Sequence, residues 1–273
     1  MKHKAMSKQK SNLLKLSVMA FLIALGVVIS PILRFEGMCP MAHFINITCS
    51  VLLGPYYSLA CATIIGIIRM TLMGIPPLAL TGAVFGAFLS GVFYRLSKGK
   101  IIFAVLGEII GTGIIGAIVS YPVMTFIWGK TGLTWMFYVP SFICGTLIGG
   151  SIAYVFLRKL ASSGLLRKFQ TMLAVRAYDD NSGVIGNAFA IAAFGVIVYL
   201  VISILTGIFN VSSTLWNVIA LSSMGAFILA AIIYFAVRTL KNKSLQKQTE
   251  VSDQKDISGR STLRETHKHN SKD

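Results

Sequence analysis

The sequence predicts an all-α membrane protein of eight spans, six in one bundle and two more at the C-terminal end. Three observations predict it. The chain is 55 % hydrophobic and 12 % charged, about half the charged share of a soluble domain, and its mean hydropathy is +0.75. The apolar residues gather into runs near the twenty that a helix needs to cross a bilayer. Lysine and arginine collect in alternate connections between those runs, the pattern that sets membrane orientation.

The runs are justified in chain order. Leu13–Leu33 comes first, and no Ala-x-Ala-like cleavage site follows it, so it reads as a retained helix rather than a signal peptide. Phe44–Leu53 is short; it packs tightly behind a kink or merges with its neighbours. Tyr56–Met73 and Leu78–Tyr94 follow. Pro31, Pro55, Pro76, Pro77 and Pro140 mark the joins, because proline lacks a backbone donor and disfavours helix before it. Ile101–Trp128 is the fifth run, with Pro122 inside it as an expected kink. Phe137–Leu157 completes the six, so residues 1–160 form the bundle. Residues 161–186 are a basic connector. There Leu165, Leu166, Phe169, Met172 and Leu173 recur at helical spacing beside Arg167 and Lys168, as in a helix lying on the inner leaflet. Residues 187–240 hold two uncharged spans, Ala188–Phe209 and Leu215–Val237. Residues 241–273 mix both signs without aromatics and read as a disordered cytoplasmic tail. No internal repeat is visible.

Charge places both termini in the cytoplasm. Lys2, Lys4, Lys8, Lys10 and Lys15 precede the first span. Arg95, Lys98 and Lys100 follow the fourth, and Arg158, Lys159, Arg167, Lys168 and Arg176 follow the sixth. Arg238, Lys241 and Lys243 follow the last, while the alternate connections hold only Arg34 and Lys130. The net charge of +16 therefore serves orientation in a cell membrane and gives no reason to expect nucleic acid. Cys39, Cys49, Cys61 and Cys144 form no Cys-x-x-Cys pair and read as small core residues, so neither metal nor other cofactor is expected. Gly129-Lys130-Thr131 imitates the end of a P-loop, but Met124 stands where the motif needs its first glycine. There is no Gly-x-Ser-x-Gly elbow and no His-Glu-x-x-His. No catalytic residue is assigned and an enzyme is not expected.

The stretch Ala104–Pro122 carries the chemistry. Glu108, Thr112, Gly116 and Ser120 recur every four residues, which on a helix is one slowly drifting face. A carboxylate at membrane depth costs about 2.5–3.5 kcal/mol and faces a bundle interior or a polar pocket. It marks a site, or a packing helix whose acid is neutralised by a partner. A second set clusters toward the outer side: Arg34, Glu36, His43 and Asn46 around the first outer loop, Arg69 within the third run, and Tyr121, Trp135, Tyr138 and Ser141 flanking runs five and six. Arg69 snorkels outward, pairs with Glu36, or binds ligand. At 1.5 Å per residue it stands about 20 Å above the inner end of its run and Glu108 about 10 Å above the start of its own, so a direct pair between them would be strained. Small residues four apart let helices approach closely. In the first span Ser17, Ala20 and Ala24 form such a face, suited to docking an external helix.

From about Leu13 to Leu160 the chain resembles the ThiW family, substrate-capturing S components of energy-coupling factor (ECF) vitamin transporters. The resemblance is carried by Ala20–Pro31, Cys39–Asn46, Val51–Tyr57 and above all Gly107-Glu-Ile-Ile-Gly-Thr-Gly-Ile-Ile-Gly116 with Tyr121-Pro122. It implies an S-component-like six-helix bundle that captures the hydroxyethyl-thiazole moiety of thiamine from outside. It implies docking on a membrane coupling protein through the small face of helix one, here Ala20 and Ala24, with two ATPases supplying the energy. Residues 161–273 depart from the family pattern. On this footing the expected pocket opens outward among helices four to six, under the loop after helix one. Tyr121, Trp135 or Tyr138 would stack on the flat ring. His43, Asn46, Ser120, Ser141 and, in a deep pocket, Glu108 would meet the hydroxyethyl group. Alternatives are an S component for another small vitamin-like ligand, a non-transport membrane protein, and a stand-alone carrier, for which inverted repeats would speak.

Overall fold

A computed structural model describes residues 8–32, 39–178, 183–208 and 214–269. All secondary structure in these segments is helical. The elements are α1 (Lys8–Ile32), α2 (Pro40–Leu53), α3 (Pro55–Met73), α4 (Leu78–Leu96), α5 (Ile101–Ile127), α6 (Val139–Ser162), α7 (Leu165–Met172), α8 (Gly183–Ile208) and α9 (Thr214–His269). Among the described residues six helices are long and apolar enough to cross a membrane: those of α1, α3, α4, α5 and α6, and Thr214–Ser244 of α9.

The short second run becomes the hub of the bundle. Fourteen residues make a helix of about 21 Å, less than the roughly 30 Å of a bilayer core. Enclosure suits such a helix better than contact with lipid. Most of α2 is buried, and it packs against each helix from α1 to α7. Gly54, at φ +91°, turns the chain directly into α3. A side chain there would meet the Arg95 guanidinium, so the α2–α3 corner lies at the same end as the close of α4.

That corner explains α7. Helix α2 would normally satisfy the Val51 carbonyl with the amide four residues on, but Pro55 has none. Gln170 fills the vacancy. Its Nε2 donates to the Val51 carbonyl and to the Tyr94 hydroxyl, both at 3.0 Å, and its side chain is fully buried. Leu166 and Leu173 pack beside it, whereas Leu165, Phe169 and Met172 stay exposed on the other face. The connector thus caps the basic end of the bundle and keeps an apolar stripe outward. Gln170→Ala should cost about 1–3 kcal/mol for the unmet carbonyl and hydroxyl. Melting in detergent and proteolysis within residues 160–178 check this; unchanged melting and cleavage would show that α7 does not hold the bundle.

The two C-terminal helices form a hairpin on α6. The Tyr154 hydroxyl donates to the Gly186 carbonyl at 2.5 Å, and its ring meets Phe189 edge-on at 4.7 Å. Arg158 donates to Asn187 at 2.8 Å, and Asn187 donates to Tyr234 at 3.2 Å. Helix α9 packs on α8, with Phe194 against Phe227. Beyond Ser244 it continues as helix to His269, through the segment whose composition reads as disordered. That segment is rich in Lys, Gln and Glu, which favour helix, and no proline interrupts it.

Helix α1 turns Leu22, Gly26 and Ser30 inward. Gly26 lets the Ile65 side chain of α3 reach its backbone. The opposite face, with Ser17, Ala20 and Ala24, is exposed along with Leu13, Phe21 and Val28. The hairpin on α6 leaves that face uncovered.

Candidate functional site

The site is built where α5 lies against α4. Gly107, Gly111 and Gly116 touch the α4 backbone: added Cβ atoms would stand 2.5 Å from the Leu89 carbonyl, 2.5 Å from the Phe85 carbonyl and 2.7 Å from the Gly82 carbonyl, respectively. The spacing is four residues, then five. A regular α-helix would carry the third glycine off the interface after such a step. The chain answers by winding Ile109–Gly116 as a π-helix between α-helical Ile101–Glu108 and Ala117–Pro122, whose wider i→i+5 turn absorbs the extra residue. The drift expected along this face is thereby cancelled. Glu108 and Thr112 meet α4 at Gly86, Gly116 meets it at Gly82, and Ser120 meets it at Thr81, hydroxyl to hydroxyl at 2.6 Å. Beyond Pro122 a second wide segment, Val123–Ile127, ends the helix.

Glu108 is fully buried. Its Oε1 accepts from His43 Nδ1 at 3.0 Å, Asn46 Nδ2 at 3.0 Å and the Thr112 hydroxyl at 3.1 Å. A carboxylate only accepts, so Nδ1 of His43 is the donor in this contact. Oε2 has no partner. Three helices share this cluster: α2 gives the imidazole and the amide one turn apart, α5 the acid and the hydroxyl, and α4 the gap at Gly86. A Cβ at Gly86 would overlap the Thr112 hydroxyl and stand 2.7 Å from Glu108 Oε2. Asn46 is fixed from behind, because its backbone carbonyl accepts from Ser58 at 3.1 Å. Ser50 in turn meets Ser58 at 2.8 Å and the Ala87 carbonyl at 2.7 Å. Hydroxyls bridging helices in this way hold membrane bundles together.

In front of the cluster lies a cavity of about 50 Å³, room for a few waters. Its wall comes from the start of α2 (Cys39, Ala42, His43), Arg69 near the end of α3, Ile75 in the turn that follows, the first turns of α4, Thr112, and Ser141 and Phe142 at the start of α6. The pocket expected among helices four to six is therefore shared by five helices, with α2 and α3 contributing the imidazole and the guanidinium. It lies at the bundle end opposite Arg95, Lys98, Arg158 and Lys159.

Of the residues singled out in the sequence, His43, Arg69, Thr112 and Ser141 line the cavity. Glu108 and Asn46 stand behind them, tied in through His43 and Thr112. Ser120 does not reach it; its hydroxyl bonds to Thr81 and to the Gly116 carbonyl on the α4–α5 contact. With Ser120 turned to α4, Tyr121 falls on the next face, half-buried and away from the wall. Trp135 is 58 % exposed in the α5–α6 connection, where aromatics anchor at the interface. Tyr138 is buried beside Ala117, Met124 and Val139 and adjoins the cavity wall through Phe142, 5.8 Å between rings, and through its carbonyl, which accepts from Ser141. Phe142 is the aromatic residue on the cavity wall, and these three do not line it. Arg69 forms no ion pair among the described residues. Arg34, Glu36 and the expected covering loop lie outside them. Cys49 and Cys61 are buried core residues as expected; Cys39 instead faces Arg69, and Cys144 is exposed.

Sequence reasoning missed Gly86, Phe142 and Cys39. Gly86 had a signal in its spacing with Gly82, but nothing in the sequence aligned it with Glu108. Cys39 and Phe142 carry no signal apart from the tertiary contact.

Apolar helices enclosing an acid–imidazole–amide–hydroxyl cluster, with a small cavity at one end, define a multi-pass membrane protein built around an internal polar site. The family model described as thiamine-precursor transporter protein (ThiW) matches residues 16–163. The chain belongs to this family of transporters. The match runs from within α1 to the end of α6 and leaves α7 and the hairpin outside. No curated protein and no solved structure matches the chain.

Proposed function

We propose that this chain is the substrate-capture subunit of an ECF-type importer and takes the hydroxyethyl-thiazole moiety of thiamine at the cavity between α2 and α6. The observation that supports this best is the cavity itself: a small, largely apolar chamber with a few polar groups, backed by a buried carboxylate, at the end that the charge rule turns outward. Phe142 offers a ring face and the His43 imidazole a polar partner for the ligand hydroxyl. Ligand pockets usually measure about 300–1,000 Å³, so the thiazole ring enters by displacing side chains at the mouth, Leu78 and Phe142 first. Both termini face the cytoplasm in this arrangement. The exposed Ser17, Ala20 and Ala24 face of α1 receives the coupling protein, and two ATPases complete the assembly.

Calorimetry with hydroxyethyl-thiazole, thiamine and the pyrimidine moiety tests the ligand. Binding of the thiazole in preference to the other two is the expected result; none from a folded sample would remove it. Copurification of the coupling protein and ATPases tests the assembly. Ala20→Trp and Ala24→Trp should abolish transport while ligand affinity stays within about threefold, since neither residue faces the bundle. Full transport by both variants would remove α1 as the docking face.

A further inference from the structure

Arg69 is the group in the cavity wall whose chemistry is unspent. Its side chain is 4 % exposed. Guanidinium stays charged at any depth, and burying a charge is costly unless it is paired. Yet Nε has no partner, and Nη2 meets only the Cys39 sulfur, at 3.2 Å, a weak acceptor. Nε and Nη2 form one edge of the guanidinium fork, the edge that binds two oxygens side by side. The acid at hand does not serve it. Glu108 Oε1 is taken by three donors, His43 Nδ1, Asn46 Nδ2 and the Thr112 hydroxyl. The other polar groups on the wall have used their protons: the Thr112 hydroxyl donates to Glu108 and the Ser141 hydroxyl to the Tyr138 carbonyl. The backbone holds Arg69 in place, because its carbonyl accepts from the Gly74 amide, in a left-handed cap at φ +62°, and from Ile75 at 3.2 Å. A fixed, desolvated, two-pronged donor thus stands in the wall of a chamber whose size admits one small group.

From this we infer that the cavity takes a ligand bearing an oxyanion, a phosphate monoester or carboxylate, which Arg69 grips through Nε and Nη2. The inference rests on the proposed ligand site and narrows it: the anionic ester of the thiazole alcohol binds ahead of the neutral alcohol. Arg69 is then the residue that sets this preference, while His43 and Thr112 face the remainder of the ligand.

The test titrates purified full-length protein with hydroxyethyl-thiazole and with its phosphate monoester, in wild type and in Arg69→Gln and Arg69→Lys. Wild type should bind the monoester at least tenfold more tightly. Arg69→Gln should lose that preference whatever its effect on the alcohol, and Arg69→Lys, which keeps the charge but not the fork, should retain a few-fold preference. Equal or tighter binding of the alcohol by wild type would overturn the inference, as would a full preference surviving in Arg69→Gln. If Arg69→Gln does not fold, Arg69→Lys decides: a preference as large as that of wild type overturns the role of the fork. If neither thiazole compound binds, the thiazole reading fails by itself. Thermal shifts with methyl phosphate and acetate then decide the oxyanion: stabilisation of wild type that is lost in the Arg69 variants upholds it, and no shift in wild type overturns it.

Discussion

Glu108→Ala should abolish ligand binding and cost about 3–5 kcal/mol of stability, the usual result of removing one partner from a buried pair. The loss is large because three donors converge on one oxygen. Without Oε1, His43 Nδ1, the Asn46 amide and the Thr112 hydroxyl all lose their acceptor inside the bundle. His43 and Thr112 also form the cavity wall, so the wall loses its support in the same step. Glu108→Gln separates charge from shape. Its carbonyl can still receive the three donors, while its amide replaces Oε2, which has no partner. We expect Glu108→Gln to fold and to bind ligand at least tenfold more weakly. Melting curves and titrations of both variants read this directly. Wild-type affinity in Glu108→Gln would show that the carboxylate is structural and takes no part in capture.

The second large effect concerns two glycines that face each other. Gly111→Ala should cost about 3 kcal/mol, the upper end of overpacking penalties. Its Cβ would stand 2.5 Å from the Phe85 carbonyl and 2.6 Å from Gly86 Cα. Both are backbone atoms, so relief requires α4 and α5 to separate. Gly86→Ala meets the Thr112 hydroxyl and the end of the Glu108 side chain instead. These can swing aside. We therefore expect a smaller stability loss but a drop in ligand affinity of about 100-fold, as misplacement near 1 Å commonly produces. Melting and binding measured on the pair give opposite rankings: Gly111→Ala is the less stable variant, and Gly86→Ala, where folded, is the weaker binder. Equal loss of stability in the two would mean that the α4–α5 contact yields as a unit, and that Gly86 has no separate role at the site.

Much of the bundle was legible because burial in a membrane writes itself into composition. The long apolar runs became helices, with most ends shifted by only a few residues, and the short run Phe44–Leu53 became the enclosed α2. Glu108 and Arg69 declared themselves by cost alone, since a charge inside an apolar run needs a reason. Their partners were less visible. The four-residue spacing pointed to a shared face, and Glu108 and Thr112 do share it. The step from four to five between Gly111 and Gly116 was equally plain in the sequence, but reading it as regular helix hides the π-winding that keeps these residues on α4. Tyr121 and Trp135 were chosen by residue type, and aromatic residues at the ends of spans serve the interface as readily as a ligand. Only the crossing of α2, α3 and α6 decides that Phe142 reaches the cavity and that Trp135 does not.

The wide turns of α5 also settle a question of length. Helices α3 and α4 have nineteen residues each, about 29 Å of α-helix, close to the thickness of a hydrocarbon core. Helix α5 brings twenty-seven, which wound as α throughout would measure about 40 Å. A segment that long must tilt, kink or overhang its bilayer. Each π turn spends more chain per unit of height, so α5 gathers slack inside the membrane and fits between shorter neighbours with less overhang. Thr112 and the contacts of Gly111 and Gly116 occupy that gathered stretch and Glu108 stands at its edge, so the surplus chain is stored beside the buried polar cluster.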